Sequence, residues 1–272
     1  MSSPNEFERF PLSGRFLAGR ARSEMSEAER VRMEALVTRT EVLEHGHRVI
    51  ARGQRSDHST MLIEGFMLRT LESENRRHAV SFHVPGDFVD LHCFALQRLD
   101  HNIDCVGPAR VGYVPHEAIV EVMRDDPKLA RLFWFSTLLD AALHREWIMK
   151  LEQLTAPRRI AHIFAEIWRR LEMVGMARPD GFETPLRQID IADMCGATAI
   201  HVNRAVAELR KSGIADFRRG RVVVSDRDRL EEYGDFNPGY LYAGEPAIPD
   251  SHSPRREHGD RSLSFKRKTS ES

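Results

Sequence analysis

The sequence lacks any long apolar run. Nothing in it approaches the ~18 to 20 consecutive apolar residues of a membrane helix, and its start, MSSPNEFERFPLSGRF, is too polar for a secretory leader. The expectation is a cytoplasmic chain with no membrane partner. Cysteine is scarce: Cys93, Cys105 and Cys195 form no CxxC pair and cannot all be bridged, which fits a reducing compartment better than a disulfide framework. Charge of one sign is not in excess either, since 40 Lys+Arg face 41 Asp+Glu. That balance excludes a histone-like binder working by bulk electrostatics, but not one whose positive charge is local. Catalytic signatures are also missing. His144-Arg145-Glu146-Trp147 lacks the second histidine of an HExxH zinc site, and there is no Walker loop, GxSxG or GxGxxG. Neither an enzyme nor a bound metal or other cofactor is expected.

What is present divides along the chain. Residues 1–40 read as an N-terminal arm and a helix, the latter over Ser26 to Thr38 with Ser26 as cap and Glu27 and Glu29 in its first turn. Residues 41–125 hold short β-type runs, Val49–Ala51, Met61–Ile63, Phe66–Leu71, Ala79–Val84 and Val111–Val114, punctuated by Gly46, Gly53, Gly65, Pro85-Gly86-Asp87 and Gly107-Pro108. Such spacing predicts a jelly-roll-like β-barrel. Over 126–156 the period becomes helical: Leu132, Phe135, Leu139, Leu143, Trp147, Leu151 and Leu154 form one stripe too long for a small domain to cover, which predicts a dimerisation helix and a homodimer. A second amphipathic segment runs from Arg158 to Val174, within a unit spanning 157–234. Residues 235–272, rich in Pro, Ser, Gly and charge, are expected to be disordered. The fold class is α+β.

The stretch Pro185 to Val224 carries the functional signal. Ile189, Ile191, Ala192 and Met194 outline a short helix, Cys195-Gly196-Ala197 a turn, and Thr198 the cap of a second helix from Ala199 to Lys211 that Gly213 ends. This is the sequence form of a helix-turn-helix, whose second helix enters the DNA major groove. Val202, Ala205, Val206 and Leu209 face inward, leaving Thr198, Ala199, Ile200, His201, Asn203 and Arg204 to meet bases: Arg bonds guanine bidentately, His and Asn reach base edges, and Ile touches a thymine methyl. Arg218, Arg219 and Arg221, ahead of Val222-Val223-Val224, predict a basic wing on the phosphate backbone. From Thr155 to Gly234 there are 14 Lys+Arg and 12 Asp+Glu, so positive charge is placed rather than abundant.

HGHRVIARGQ (45–54), LIEG (62–65), PGDFVDL (85–91) and IADMCGATAIHVNRAVAELRKSGI (191–214), in this order, resemble the Crp/Fnr family of bacterial transcription regulators over about Glu41 to Gly234. The resemblance implies a cyclic-nucleotide-binding-like β domain, a long interface helix and a winged helix-turn-helix. The implied function is a sequence-specific regulator acting as a homodimer on two-fold symmetric promoter DNA, with RNA polymerase as a further partner. Two departures bear on the signal. Members that bind cyclic AMP carry a Gly-Glu pair and an Arg-Ser pair where this chain has Asp90-Leu91 and His101-Asn102; these four mark the candidate effector pocket, and without the Arg a cyclic phosphate loses its charge-assisted bonds. Members with an iron-sulfur cluster use four cysteines grouped near the N-terminus, and none precedes Cys93 here. The expectation is a regulator with no small-molecule ligand. The competing reading is a ligand-, haem- or thiol-sensing module whose C-terminal helices bind protein instead of DNA.

Overall fold

The computed structural model describes residues 4–74 and 76–244. After α1 (Pro4–Arg9), the arm buries Phe10, Phe16, Leu17 and Ala21. The second helix, α2 (Glu27–Ala35), starts at a reciprocal cap: Ser26 Oγ accepts the Glu29 N–H, and the Glu29 carboxylate accepts that of Ser26. It ends three residues short of Thr38, whose N–H already bonds the Tyr113 carbonyl and so enters the sheet.

Strands β1 (Arg39–Leu43), β2 (Arg48–Ile50), β3 (His58–Ser73), β4 (Arg76–His83) and β5 (Asn102–Pro115) form one antiparallel sheet in the order β1-β5-β3-β4, with β2 also on β5. Two of the expected runs merge, since Met61–Ile63 and Phe66–Leu71 lie in a single 16-residue strand. Gly65, read as a turn, is a bulge. Pairing passes from Glu64 with Arg110 to Phe66 with Val106, so the partner strand carries extra residues around Gly107-Pro108. Gly65 has φ +88°, and a Cβ there would lie 2.4 Å from the Pro108 carbonyl oxygen, which only glycine avoids. No described pairing joins β4 to β1, so the β domain is a bent open sheet rather than a closed barrel.

Two helices the periodicity did not suggest, α3 (Cys93–Leu96) and α4 (His116–Asp125), flank the sheet. Asp126 then caps the 27-residue α5 (Pro127–Gln153), with Pro127 in its first turn. The apolar stripe expected to meet a second subunit is largely taken up within the chain. Leu132 and Leu139 pack with Phe16 and Leu17 of the arm, and Leu143 and Trp147 pack with α6 (Ala156–Met173). Leu154 is buried, Phe135 half-buried against Tyr242, and only Leu151 is exposed. A heptad pattern reports an apolar face, not whose surface covers it. On the opposite side of α5, Trp134, Leu138 and Ile148 are exposed at 65%, 53% and 66%. With Ala141 and Arg145 they follow spacings of 4, 3, 4 and 3. At ~100° per residue this second stripe lies about half a turn from the first.

The C-terminal unit adds β6 (Gly181–Glu183), α7 (Gln188–Cys195), α8 (Ala199–Lys211), β7 (Asp216–Arg218), β8 (Arg221–Val223) and α9 (Arg227–Tyr233), its strands ordered β6-β8-β7. The disorder expected from residue 235 does not begin there. Phe236 and Leu241 are buried, the Tyr240 hydroxyl donates to Glu166, and the Leu241 carbonyl accepts from the buried Arg20. Three apolar side chains in a polar stretch make no period, yet they close the junction between the arm, α5 and α6. The remainder of that expectation, 245–272, lies outside the described residues. Among the described residues no helix is long and apolar enough to cross a membrane.

Candidate nucleic-acid interface

Helix α7 ends at Gly196, which takes the left-handed conformation (φ +62°) and turns the chain toward Thr198. Thr198 caps α8, its Oγ1 accepting the His201 N–H at 3.3 Å and lying 3.0 Å from His201 Nδ1. Apolar spacing fixes how α8 sits: Val202, Ala205, Val206 and Leu209 are buried in the core shared with α6 and α7. That burial turns Thr198, Ile200, His201, Asn203 and Arg204 outward, with Ile200 67% exposed and Ala199 half-buried. The helix N-terminus adds its own positive potential at the same end. One neighbour the sequence reading missed is Gln188, whose Oε1 accepts from Asn203 Nδ2 at 3.3 Å. Gln188 opens α7 and meets α8 only through the packing of the two helices, a contact with no sequence signature.

The wing is a tight hairpin, with Arg219 and Gly220 both at positive φ (49° and 76°), the geometry of the two-residue turn that suits strand twist. A Cβ at Gly220 would sit 2.7 Å from the Thr184 carbonyl oxygen. The basic residues are not equivalent. Arg218 and Arg210 share Asp216 at 2.9 and 2.7 Å, and Arg221 pairs with Asp180 at 2.7 Å. Among the described residues Arg204 and Arg219 have no such partner, and both are exposed. With Lys211 at the end of α8, likewise exposed and without an ion pair among the described residues, they carry uncommitted positive charge.

Ion pairs fix this unit on the β domain. Arg77 of β4 reaches Asp193 and Asp190 of α7 at 2.7 and 2.5 Å, and Asp190 also closes the start of α7 by accepting the Arg187 N–H. Arg170 of α6 bonds Asp87 of the PGDF turn at 2.6 Å and the Phe82 carbonyl at 2.8 Å. Burial opposes ionisation of Asp87, but Arg170 and His83 hold its carboxyl well below the usual range.

The four residues proposed for an effector pocket do not converge. Asp90 accepts the Thr60 N–H, Asn102 accepts the Arg52 N–H, and His101 pairs with Asp100 beside the His92 ring. Leu91 packs in the core formed by the arm and α5. The match to the family's positions was linear, whereas each of these side chains is held by a different neighbour. The space between the sheet and α5 instead holds Arg69, which is 2% exposed, bonds the Val89 carbonyl at 2.9 and 2.7 Å, and pairs with Asp140 at 2.5 Å. All three cysteines are buried. Desolvation pushes the Cys105 thiol up to about 12 and that of Cys195 up to about 11, away from the thiolate a redox switch needs.

A family model described as a Crp-like helix-turn-helix domain matches residues 158–233. The chain is 30% identical over 204 residues to the transcriptional activator protein FnrL of Cereibacter sphaeroides, covering 72% of this chain and 81% of that one. Among solved structures, FixK2 from Bradyrhizobium japonicum superposes with a TM-score of 0.65 at 22% identity, over 72% of this chain and 96% of its own. A CRP/FNR family regulator from Thermus thermophilus gives 0.58 at 17% identity, over 72% and 98%.

Proposed function

Because the chain belongs to the Crp/Fnr family of DNA-binding transcriptional regulators, we propose that it acts as a homodimer on two-fold symmetric promoter sites in the cytoplasm, without gating by cyclic AMP. Its function is regulatory, not enzymatic. Helix α8 reads base edges through Thr198, Ala199, Ile200, His201, Asn203 and Arg204, while Arg218, Arg219 and Arg221 hold phosphates. The observation that carries this assignment is the outward face of α8, polar at its capped end and flanked by Arg204 and Arg219, which have no ion-pair partner among the described residues. An exposed guanidinium beside such a helix can bond guanine O6 and N7 bidentately.

The dimer seam is assigned to Trp134, Leu138 and Ile148, which the chain leaves exposed along α5, with the half-buried Ala141 between them. Two copies joined there present two recognition helices to successive major grooves. Action without cyclic AMP is supported by Arg69, a cation of the protein's own that ties the sheet to α5 through Asp140. RNA polymerase is the partner through which a promoter-bound dimer acts. Arg204→Ala tests the base-reading role: specific binding in a gel shift weakens by roughly 10- to 100-fold, with the dimer intact by sedimentation. An unchanged shift would remove Arg204 from the base-reading set.

A further inference from the structure

The exposed start of α8 carries His201, Asn203 and Arg204, three side chains able to bond a base edge, and they are not equally free. Arg204 has no ion-pair partner among the described residues. His201 is held from within its own helix, its Nδ1 lying 3.0 Å from the capping hydroxyl of Thr198. Asn203 is held from another helix, its Nδ2 donating to Gln188 Oε1 at 3.3 Å.

Gln188 is placed to hold it. It is the first residue of α7 and half-buried. The start of that helix is closed by Asp190, which accepts the Arg187 N–H at 2.8 Å and is paired in turn with Arg77 of β4. A contact made from such a fixed base costs less ordering than one made from a loose segment. Its effect on Asn203 follows from counting donors. A primary amide offers two N–H donors and one carbonyl oxygen. With one donor committed to Gln188, Asn203 keeps one donor and Oδ1. Adenine presents their complement in the major groove, an acceptor at N7 and a donor at N6, whereas guanine presents acceptors at both N7 and O6 and calls for two donors.

Building on the base-reading role proposed for α8, we infer that Gln188 is a positioning residue that fixes the Asn203 amide so that Asn203 reads adenine and rejects guanine. Gln188 acts through Asn203 and not by contact with a base.

Affinities of the full chain for its selected duplex, and for duplexes with A·T replaced by G·C one pair at a time, test this inference. The pair read by Asn203 is the one whose preference Asn203→Ala lowers. There the unaltered chain should favour A·T over G·C by roughly 5- to 150-fold. Gln188→Ala should cut that ratio by roughly 3-fold or more. Gln188→Leu, which keeps bulk at the start of α7, should do the same. Gln188→Glu retains an acceptor of equal reach, so its negative charge weakens every duplex while the ratio at that pair is restored. In the Asn203→Ala background, Gln188→Ala should move the ratio no further. A ratio unmoved by both Gln188→Ala and Gln188→Leu, or lowered equally by Gln188→Glu, would overturn the positioning role and leave α8 as a reader of DNA. Guanine favoured at that pair, or no pair responding to Asn203→Ala, would overturn the adenine assignment. A chain that prefers no duplex would remove the base-reading role and this inference with it.

Discussion

Arg204, on the exposed face of α8, and Arg219, at the tip of the wing, are exposed and have no carboxylate partner among the described residues. Their replacements should differ in kind. Arg204→Ala selectively weakens sites carrying the base it reads, by about 1 to 3 kcal/mol. Arg219→Ala, at the tip of the wing, weakens all duplexes alike and lowers the slope of log affinity against log salt by about 1; affinities measured across a salt series on matched and scrambled duplexes separate the two. The buried carboxylates give a second test. Burial opposes it, but Arg69 holds Asp140 down to about 2 from 3.8, and Arg170 holds Asp87 low as well. Groups depressed on folding stabilise fully above the unfolded value and lose that contribution as pH falls through the folded one. Unfolding free energy should therefore drop between about pH 4 and pH 2, Asp140 accounting for about 2 kcal/mol of it. Denaturant titrations of Asp140→Asn across that window should show a shallower fall. The caps at Ser26 and Thr198 were legible in the sequence because each is settled within four residues of chain. The fates of Asp90 and Asn102 were not, because each depends on a partner far away in the chain, Thr60 and Arg52.

At the scale of elements, α5 shows both the reach and the limit of periodicity. The pattern predicted a long helix and one apolar stripe, and both are present. It did not reveal that the arm and α6 occupy that stripe, nor that the exposed seam runs along the other side through Trp134, Leu138 and Ile148. The two stripes give opposite predictions for a charge. Ile148→Glu should yield folded monomers with weak DNA binding, because a carboxylate then faces the partner helix. Leu143→Glu, at a position 6% exposed, should lower the melting temperature instead, by burying that charge in the chain's own core. Sedimentation velocity beside thermal melts distinguishes them; a stable monomer from Leu143→Glu would return the seam to the first stripe. Strand lengths were misread for a similar reason. Gly65 and Gly107 look like turns in a linear text, while pairing between β3 and β5 makes them bulges inside continuous strands.

Over the whole molecule, the order of β domain, long helix and winged helix-turn-helix could be read from glycine turns and apolar periods, whereas the joints could not. Arg77 to Asp190 and Asp193, Arg170 to Asp87, and Arg20 to the Leu241 carbonyl all link residues far apart in the chain. The segment after α9 is part of this jointing. A chain ended at Gly234 loses the burial of Phe236, Tyr240 and Leu241, and its melting temperature should fall by about 5 to 10 °C; no change by calorimetry would mean that the segment adds nothing to the junction.

Selection of duplexes from a random library by the purified full chain at moderate salt, followed by footprinting, tests the central claim most directly. The enriched sequence should be two-fold symmetric with half-sites about one helical turn apart, ~34 to 36 Å, and Arg204→Ala should lose the preference at one position in each half. Folded protein that enriches no sequence over random competitor would contradict the assignment of α8 as a reader of DNA.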